Sequence, residues 1–110
     1  MVDEVTPEDV KRKLEDGDDV QVVDIRQPAQ YRRGHIPTAI NVPLPDLPRQ
    51  VDEIDWGDDV VVACPIGESS IQAARLIGSY EEVEDPDAVR SMAGGYRAWE
   101  YPLEEGEREA

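Results

Sequence analysis

Runs of apolar residues punctuate an otherwise charged chain at regular intervals. Val60-Val61-Val62-Ala63 has no polar interruption and Val20-Gln21-Val22-Val23-Asp24-Ile25 has few, so both read as buried strands. Ala39-Ile40-Asn41-Val42 is a shorter strand stopped by Pro43, and a last strand falls near Ala88-Val89. Helical spacing is clearest over Ser69–Tyr80, with Ile71, Ala74, Leu76 and Ile77 as the predicted buried stripe. An earlier helix starts where Thr6 caps, Pro7 fits the first helical position and Glu8-Asp9 fill the first turn; Val10 and Leu14 share a face and Gly17 closes it.

The intervening stretches are shorter. Residues 27–34 read as a loop with at most a short helix, the Pro-rich run 43–48 leads into a short helix around Arg49–Ile54, and 56–59 form a turn. Residues 81–87 form an acidic loop, and Gly94-Gly95 opens a helix over Tyr96–Tyr101. Strands alternating with helices predict an α/β fold: a mainly parallel central sheet with helices on both faces. Sites in such sheets gather at the carboxyl ends of strands.

Length and charge narrow the function. The 110 residues suit one domain, expected over residues 1–103, with 104–110 as an acidic, frayed tail. No stretch approaches the ~20 apolar residues of a membrane span, and Met1-Val2-Asp3-Glu4 lacks the pattern of a signal segment, so a cytoplasmic location is expected. Twenty-six acids against eleven bases give a formal charge of −15, and Lys11 and Lys13 are the only lysines. Such a chain repels nucleic-acid phosphates and anionic lipid, so neither is an expected partner. An acidic, lysine-poor surface is favoured in molar salt, where the screening length falls to ~3 Å, and a halophilic source is expected. One cysteine and one histidine (His35) offer no metal cluster and no internal disulfide.

That single cysteine, Cys64, ends the Val60–Ala63 strand and opens the turn Pro65-Ile66-Gly67-Glu68 before the helix at Ser69-Ser70. Backbone N–H groups of such a turn, and the positive end of the helix dipole, are placed to stabilise a thiolate. A small buried apolar residue ending a core strand accounts for the same pattern, since free cysteine is among the most buried residue types. The local turn leaves both readings open.

Four segments, in order, resemble the rhodanese-like domain: Val22-Val23-Asp24-Ile25-Arg26; Gly34-His35-Ile36-Pro37-Thr38-Ala39-Ile40-Asn41-Val42-Pro43; Val61-Val62-Ala63-Cys64-Pro65-Ile66-Gly67; and Gly94-Gly95-Tyr96-Arg97-Ala98-Trp99. The Gly-His-Ile-Pro segment after an Asp-x-Arg strand end is the most specific. The resemblance implies a five-stranded, mainly parallel sheet with helices on both faces. It also implies a sulfurtransferase that needs no cofactor. Cys64 would take a sulfane sulfur from a donor such as thiosulfate or a persulfide and hold it as a persulfide. A thiol or cyanide acceptor would then remove it, in ping-pong covalent catalysis by a monomer. Pro65, Ile66, Gly67, Glu68, Ser69 and Ser70 would form the cradle, with Ile66–Ser70 amides and the Ser69 and Ser70 hydroxyls facing the anion. Asp24 and Arg26 would shape the loop. His35 would be a structural turn residue, Gly94-Gly95 would serve close packing, Trp99 would be core, and Arg32-Arg33 a solvated surface.

The chain also departs from the family pattern. The arginine often pairs with an acid in the following segment, where Gln30 stands here. Members active on thiosulfate often carry a basic residue just after the cysteine and another at the loop's end; here these places hold Pro65 and Ser69, and Glu68 adds a negative charge. A neutral or cationic donor, or a protein-bound persulfide, suits this loop better than a dianion. Related phosphatases use a longer Cys-x5-Arg loop, but position 70 is Ser70 and Arg75 lies more than a helical turn beyond, so the bidentate oxyanion clamp is missing. The alternative in another class is a catalytically weak interaction or redox-sensing module.

Overall fold

The computed structural model describes residues 2–106. Five strands form one sheet: β1 (Glu4–Val5), β2 (Gln21–Asp24), β3 (Ile40–Asn41), β4 (Val60–Ala63) and β5 (Val89–Met92). Their order is β1-β5-β4-β2-β3, and every pairing is parallel. The register aligns Val23 with Val62 and Val62 with Ser91, and sets Asp24 beside Ala63. The helices are α1 (Pro7–Glu15), α2 (Pro28–Arg33), α3 (Leu47–Gln50) and α4 (Ser69–Gly78).

Strand β4 explains why the sequence runs apolar without alternation. It lies at the centre of the sheet and all four residues are buried. Val60 and Val62 face a core with Leu47, Ala73, Ala74 and Ile77, which packs α3 and α4 on one face. Val61 and Ala63 face Val10, Tyr31, Ile36 and Trp99, which packs α1 and α2 on the other. Burying each such Val stabilises the fold by roughly 1.5–3 kcal/mol relative to exposure. Helices on both faces of a parallel sheet are thus the arrangement observed.

Several element boundaries differ from expectation. Strand β1 has no apolar run to announce it; two residues suffice because Ser91 and Ala93 donate backbone N–H to Asp3 and Val5 carbonyls at 3.0 and 2.8 Å. Strand β5 extends to Met92 rather than stopping at Val89, because its neighbours on both sides supply a ladder for Arg90 and Ser91. The helix expected over Arg49–Ile54 is α3 flanked by tight 3-10 turns at Leu44–Asp46 and Val51–Glu53. The one expected over Tyr96–Tyr101 is a 3-10 turn at Gly95–Ala98. The buried side of α4 is Ser70, Ala73, Ala74 and Ile77; Ile71 and Leu76 are only half-buried, because the small residues let the helix approach the sheet closely.

The segment expected as a tail begins with bonded residues. Glu104 and His35 exchange backbone hydrogen bonds at 2.9 Å, the Glu104 carboxylate accepts from the Thr38 amide at 2.9 Å, and Gly106 donates to the Arg32 carbonyl at 2.8 Å. Residues 107–110 lie outside the described residues.

Candidate functional site

Strand β4 delivers Cys64 to the carboxyl edge of the sheet, with the side chain fully buried. The chain then turns through Pro65–Glu68 and enters α4, so the sulfur sits inside the turn. Its Sγ accepts from the Gly67 amide at 3.0 Å and from the Ser70 amide at 3.3 Å. As a thiol, Cys64 donates to Ser70 Oγ at 3.2 Å. Ser70 Oγ lies 2.6 Å from Ser91 Oγ on β5, and both serines are fully buried.

The residues expected as a cradle divide into two sets. Among the described residues, the amides that reach Sγ are those of Gly67 and Ser70, and the hydroxyl that reaches it is that of Ser70. Pro65, Ile66, Glu68 and Ser69 are exposed on the outside of the turn, and Ile66 is 51% exposed. Ser69 starts α4, with Glu68 at its N-cap position and no side-chain capping bond.

The turn keeps its shape because a second turn closes on it. The Tyr96 amide donates to the Cys64 carbonyl at 2.8 Å, and the Arg97 amide to the Pro65 carbonyl at 3.0 Å. Gly95 lies between them with φ +60°; a Cβ there would drive into the Cys64 carbonyl and stand 2.7 Å from the Gly67 nitrogen. Gly67, at φ +87°, has the matching restriction: its Cβ would be 2.8 Å from the Gly94 nitrogen. Here glycine is required both by the left-handed backbone and by the close approach of two chains.

Asp24 and Arg26 sit beside this double turn. The Arg26 Nε contacts both Asp24 oxygens at 3.1 Å, and Nη2 donates to Asp24 Oδ2 and to the Gly34 carbonyl, each at 2.7 Å. The guanidinium stacks 3.5 Å from the centroid of the Tyr96 ring. Burial pulls the Arg26 guanidinium down, but hydrogen bonding and the charge of Asp24 outweigh it and the net shift is upward. Tyr96 is held neutral to well above its ordinary range, chiefly by burial and then by the Asp24 charge; its hydroxyl oxygen accepts from the Ile36 amide at 3.1 Å. Gln30 bonds back to the Gln27 amide at the start of α2, so Arg26 finds its acid at Asp24 instead.

His35 is 2% exposed, stacks on Tyr31 at 3.9 Å, and places Nδ1 2.9 Å from the Tyr31 carbonyl. That is a packed structural residue. Trp99 is in the core, and Arg32 and Arg33 are exposed. Two residues that touch the site were not singled out in the sequence. Tyr96 had a signal in the Gly94-Gly95-Tyr96 segment; Ser91 had only its small polar side chain on an otherwise buried strand.

The rhodanese-like domain model matches residues 6–101. A curated relative named sulfurtransferase, from Allochromatium vinosum, is 36% identical over 99 residues, covering 90% of this chain and 89% of its own. The thiosulfate sulfurtransferase GlpE of Pseudoalteromonas translucida is 34% identical over 88 residues, 80% of each chain. Among solved structures, a rhodanese-like domain protein of Staphylococcus aureus shares the fold with TM-score 0.77 at 22% identity, covering 94% of this chain and 98% of that one. With four motif segments in register and a cysteine cradled at the carboxyl edge of a parallel sheet, the chain belongs to the rhodanese-like domain family.

Proposed function

We propose that this protein is a rhodanese-type sulfurtransferase in which Cys64 carries the transferred sulfur. The observation that carries the reading is the pair of amides, Gly67 and Ser70, converging on the one thiol of the chain at the N-terminus of a ten-residue helix. Amide donors and a helix dipole stabilise an anion without a counter-charge. The family and its sulfurtransferase relatives support the same activity.

In the first half-reaction the Cys64 thiolate attacks the outer sulfur of the donor. An S–S bond forms to Cys64 as the donor's own bond to that sulfur breaks; with thiosulfate the leaving group is sulfite. Negative charge then rests on the terminal sulfur of the persulfide. In the second half-reaction a thiolate or cyanide attacks that terminal sulfur, and the thiolate of Cys64 is regenerated. Cys64 presents no surface, so donor entry requires the turn that encloses it to open.

Pro65 and Ser69 supply no cation, and Glu68 opposes a dianion, so the preferred donor is a neutral or cationic persulfide, or one held by a protein. The reading carries with it a monomer acting in a reducing cytoplasm, and the −15 charge fits a salt-rich one. A catalytically weak interaction module is the second reading, favoured by the complete burial of Cys64 and by the missing loop cations.

Intact-mass spectrometry separates them. The protein is incubated in concentrated KCl, without reductant, with thiosulfate or with polysulfide. Gain of one sulfur, removed by cyanide and absent in Cys64→Ala, is the expected result. Folded protein that gains no sulfur from either donor would overturn the sulfur-carrier reading.

A further inference from the structure

Next to Cys64 lie two buried hydroxyls that the sulfur-transfer steps leave unused, those of Ser70 and Ser91. Cys64 Sγ contacts Ser70 Oγ at 3.2 Å, and Ser70 Oγ contacts Ser91 Oγ at 2.6 Å. All three residues are fully buried, and they come from three elements: the end of β4, the first turn of α4 and the middle of β5. The order of the strands makes the contact, because β5 is the neighbour of β4 and Ser91 is in register with Val62.

We infer that Ser91 is a positioning residue for Cys64, acting through the Ser70 hydroxyl. A hydroxyl both donates and accepts, and its proton rotates to suit its partners. While Cys64 is a thiol, S–H donates to Ser70 Oγ and Ser70 donates to Ser91. When the sulfur becomes a thiolate, that bond cannot persist, and the Ser70 proton turns toward the anion. Ser70 Oγ then needs a donor of its own, and the only other hydroxyl within reach among the described residues is that of Ser91. The hydrogen-bond chain reverses direction with the charge on sulfur, and no heavy atom has to move. A donor that is itself hydrogen-bonded is polarised and strengthened, by roughly 10–30% per bond.

The inference rests on Cys64 being the working sulfur, but its test does not depend on sulfur transfer. The thiolate's ultraviolet absorbance is followed against pH, with Cys64→Ala as the blank that removes the tyrosine contribution. The charged and titratable groups on the elements packed around the turn are Glu68 on the turn, Arg75 on α4, Asp24 at the end of β2 and Arg26 just beyond it, Arg90 on β5, and Tyr96 and Arg97 on the 3-10 turn. None is altered in the variants, so their fields cancel in the comparison.

Ser70→Ala is expected to move the titration midpoint up by about one unit, the size of a lost hydrogen bond to an anion. Ser91→Ala should move it up by less than Ser70→Ala does, by roughly 0.3–0.5 unit. The double variant should titrate no higher than Ser70→Ala alone, because Ser91 has nothing to act through once Ser70 Oγ is gone. Ser91→Thr and Ser91→Val match in volume and suit a strand; Thr should titrate as wild type and Val as Ala. An unchanged midpoint in both Ser91→Ala and Ser91→Val, or an equal upward shift by Ser91→Ala in the Ser70→Ala background, would overturn the inference. Failure of sulfur loading in wild type, with this pattern of midpoints intact, would overturn the sulfurtransferase reading instead.

Discussion

The Arg26 guanidinium stacks at 3.5 Å on the ring of Tyr96, and the Tyr96 amide holds the Cys64 carbonyl at 2.8 Å. One residue therefore joins the Asp24–Arg26 pair to the backbone of the cysteine turn. The pair is at once the support of the turn and a liability, because Asp24 is completely buried.

Arg26→Ala leaves that buried carboxylate without its partner. The expected cost is about 3–5 kcal/mol, which lowers Tm by more than ~10 °C. Double replacement by Asp24→Asn and Arg26→Ala should recover part of the loss, since the uncompensated charge is gone. Thermal denaturation of both variants in concentrated KCl checks this; equal losses would show that buried charge is not the cause.

Tyr96 makes stability depend on alkaline pH. The folded state keeps the phenol protonated above its ordinary range, whereas the unfolded chain loses that proton near pH ~10. Above that pH the unfolded state binds fewer protons than the folded one, so stability falls as pH rises. Below it both states are neutral and no dependence arises from this group. Tyr96→Phe should flatten the fall above pH ~10 while costing about 1 kcal/mol at neutral pH for the lost bond from the Ile36 amide. Urea unfolding of the two proteins across pH 8–11 (roughly the window set by an ordinary tyrosine) is the measurement.

Gly95→Ala is expected to disrupt the site as well as the fold. The left-handed backbone alone costs about 1–2 kcal/mol, and the new Cβ collides with the Cys64 carbonyl. Gly17→Ala is the control: its φ is +73°, yet nothing lies within 4 Å of a Cβ there. Gly17→Ala should lose only the backbone cost and load sulfur normally; Gly95→Ala should lose more stability and load poorly. Chemical denaturation and intact-mass analysis of each report the two effects.

Glu68→Lys tests the donor preference. It reverses a charge on the outside of the turn without touching either amide that reaches the sulfur. At low salt, kcat/KM for thiosulfate should rise at least roughly fivefold, since about 1 kcal/mol attaches to a single pair of unit charges near contact and the swap changes the loop charge by two. In molar KCl, where the screening length is ~3 Å, most of the gain should vanish. No change at low salt would mean that the loop charge does not select the donor.

Much of the fold was legible in the sequence because its signals are local. The uninterrupted Val60–Ala63 run marks a strand covered on both faces, and the Thr6-Pro7 start marks a helix whose cap the structure retains, with the Asp9 amide donating to Thr6 Oγ1 at 3.1 Å. Strand β1 was not legible: two residues carry no periodicity, and they are strand because β5 offers them a ladder. The reach of β5 to Met92 was hidden for the same reason.

The candidate site divides along a similar line. Residue order alone specifies that one cysteine follows a buried strand and precedes a helix, and that its loop lacks cations. Which groups touch the sulfur was decided by tertiary structure alone. Gly67 and Ser70 present their amides while Ser69 faces solvent, since a turn closed on Gly95 fixes the direction of each N–H. Ser91 and Tyr96 are 27 and 32 residues beyond Cys64 in the chain, and no local pattern encodes their approach. They arrive because parallel pairing places β5 next to β4 and carries the following turn back across the cysteine loop.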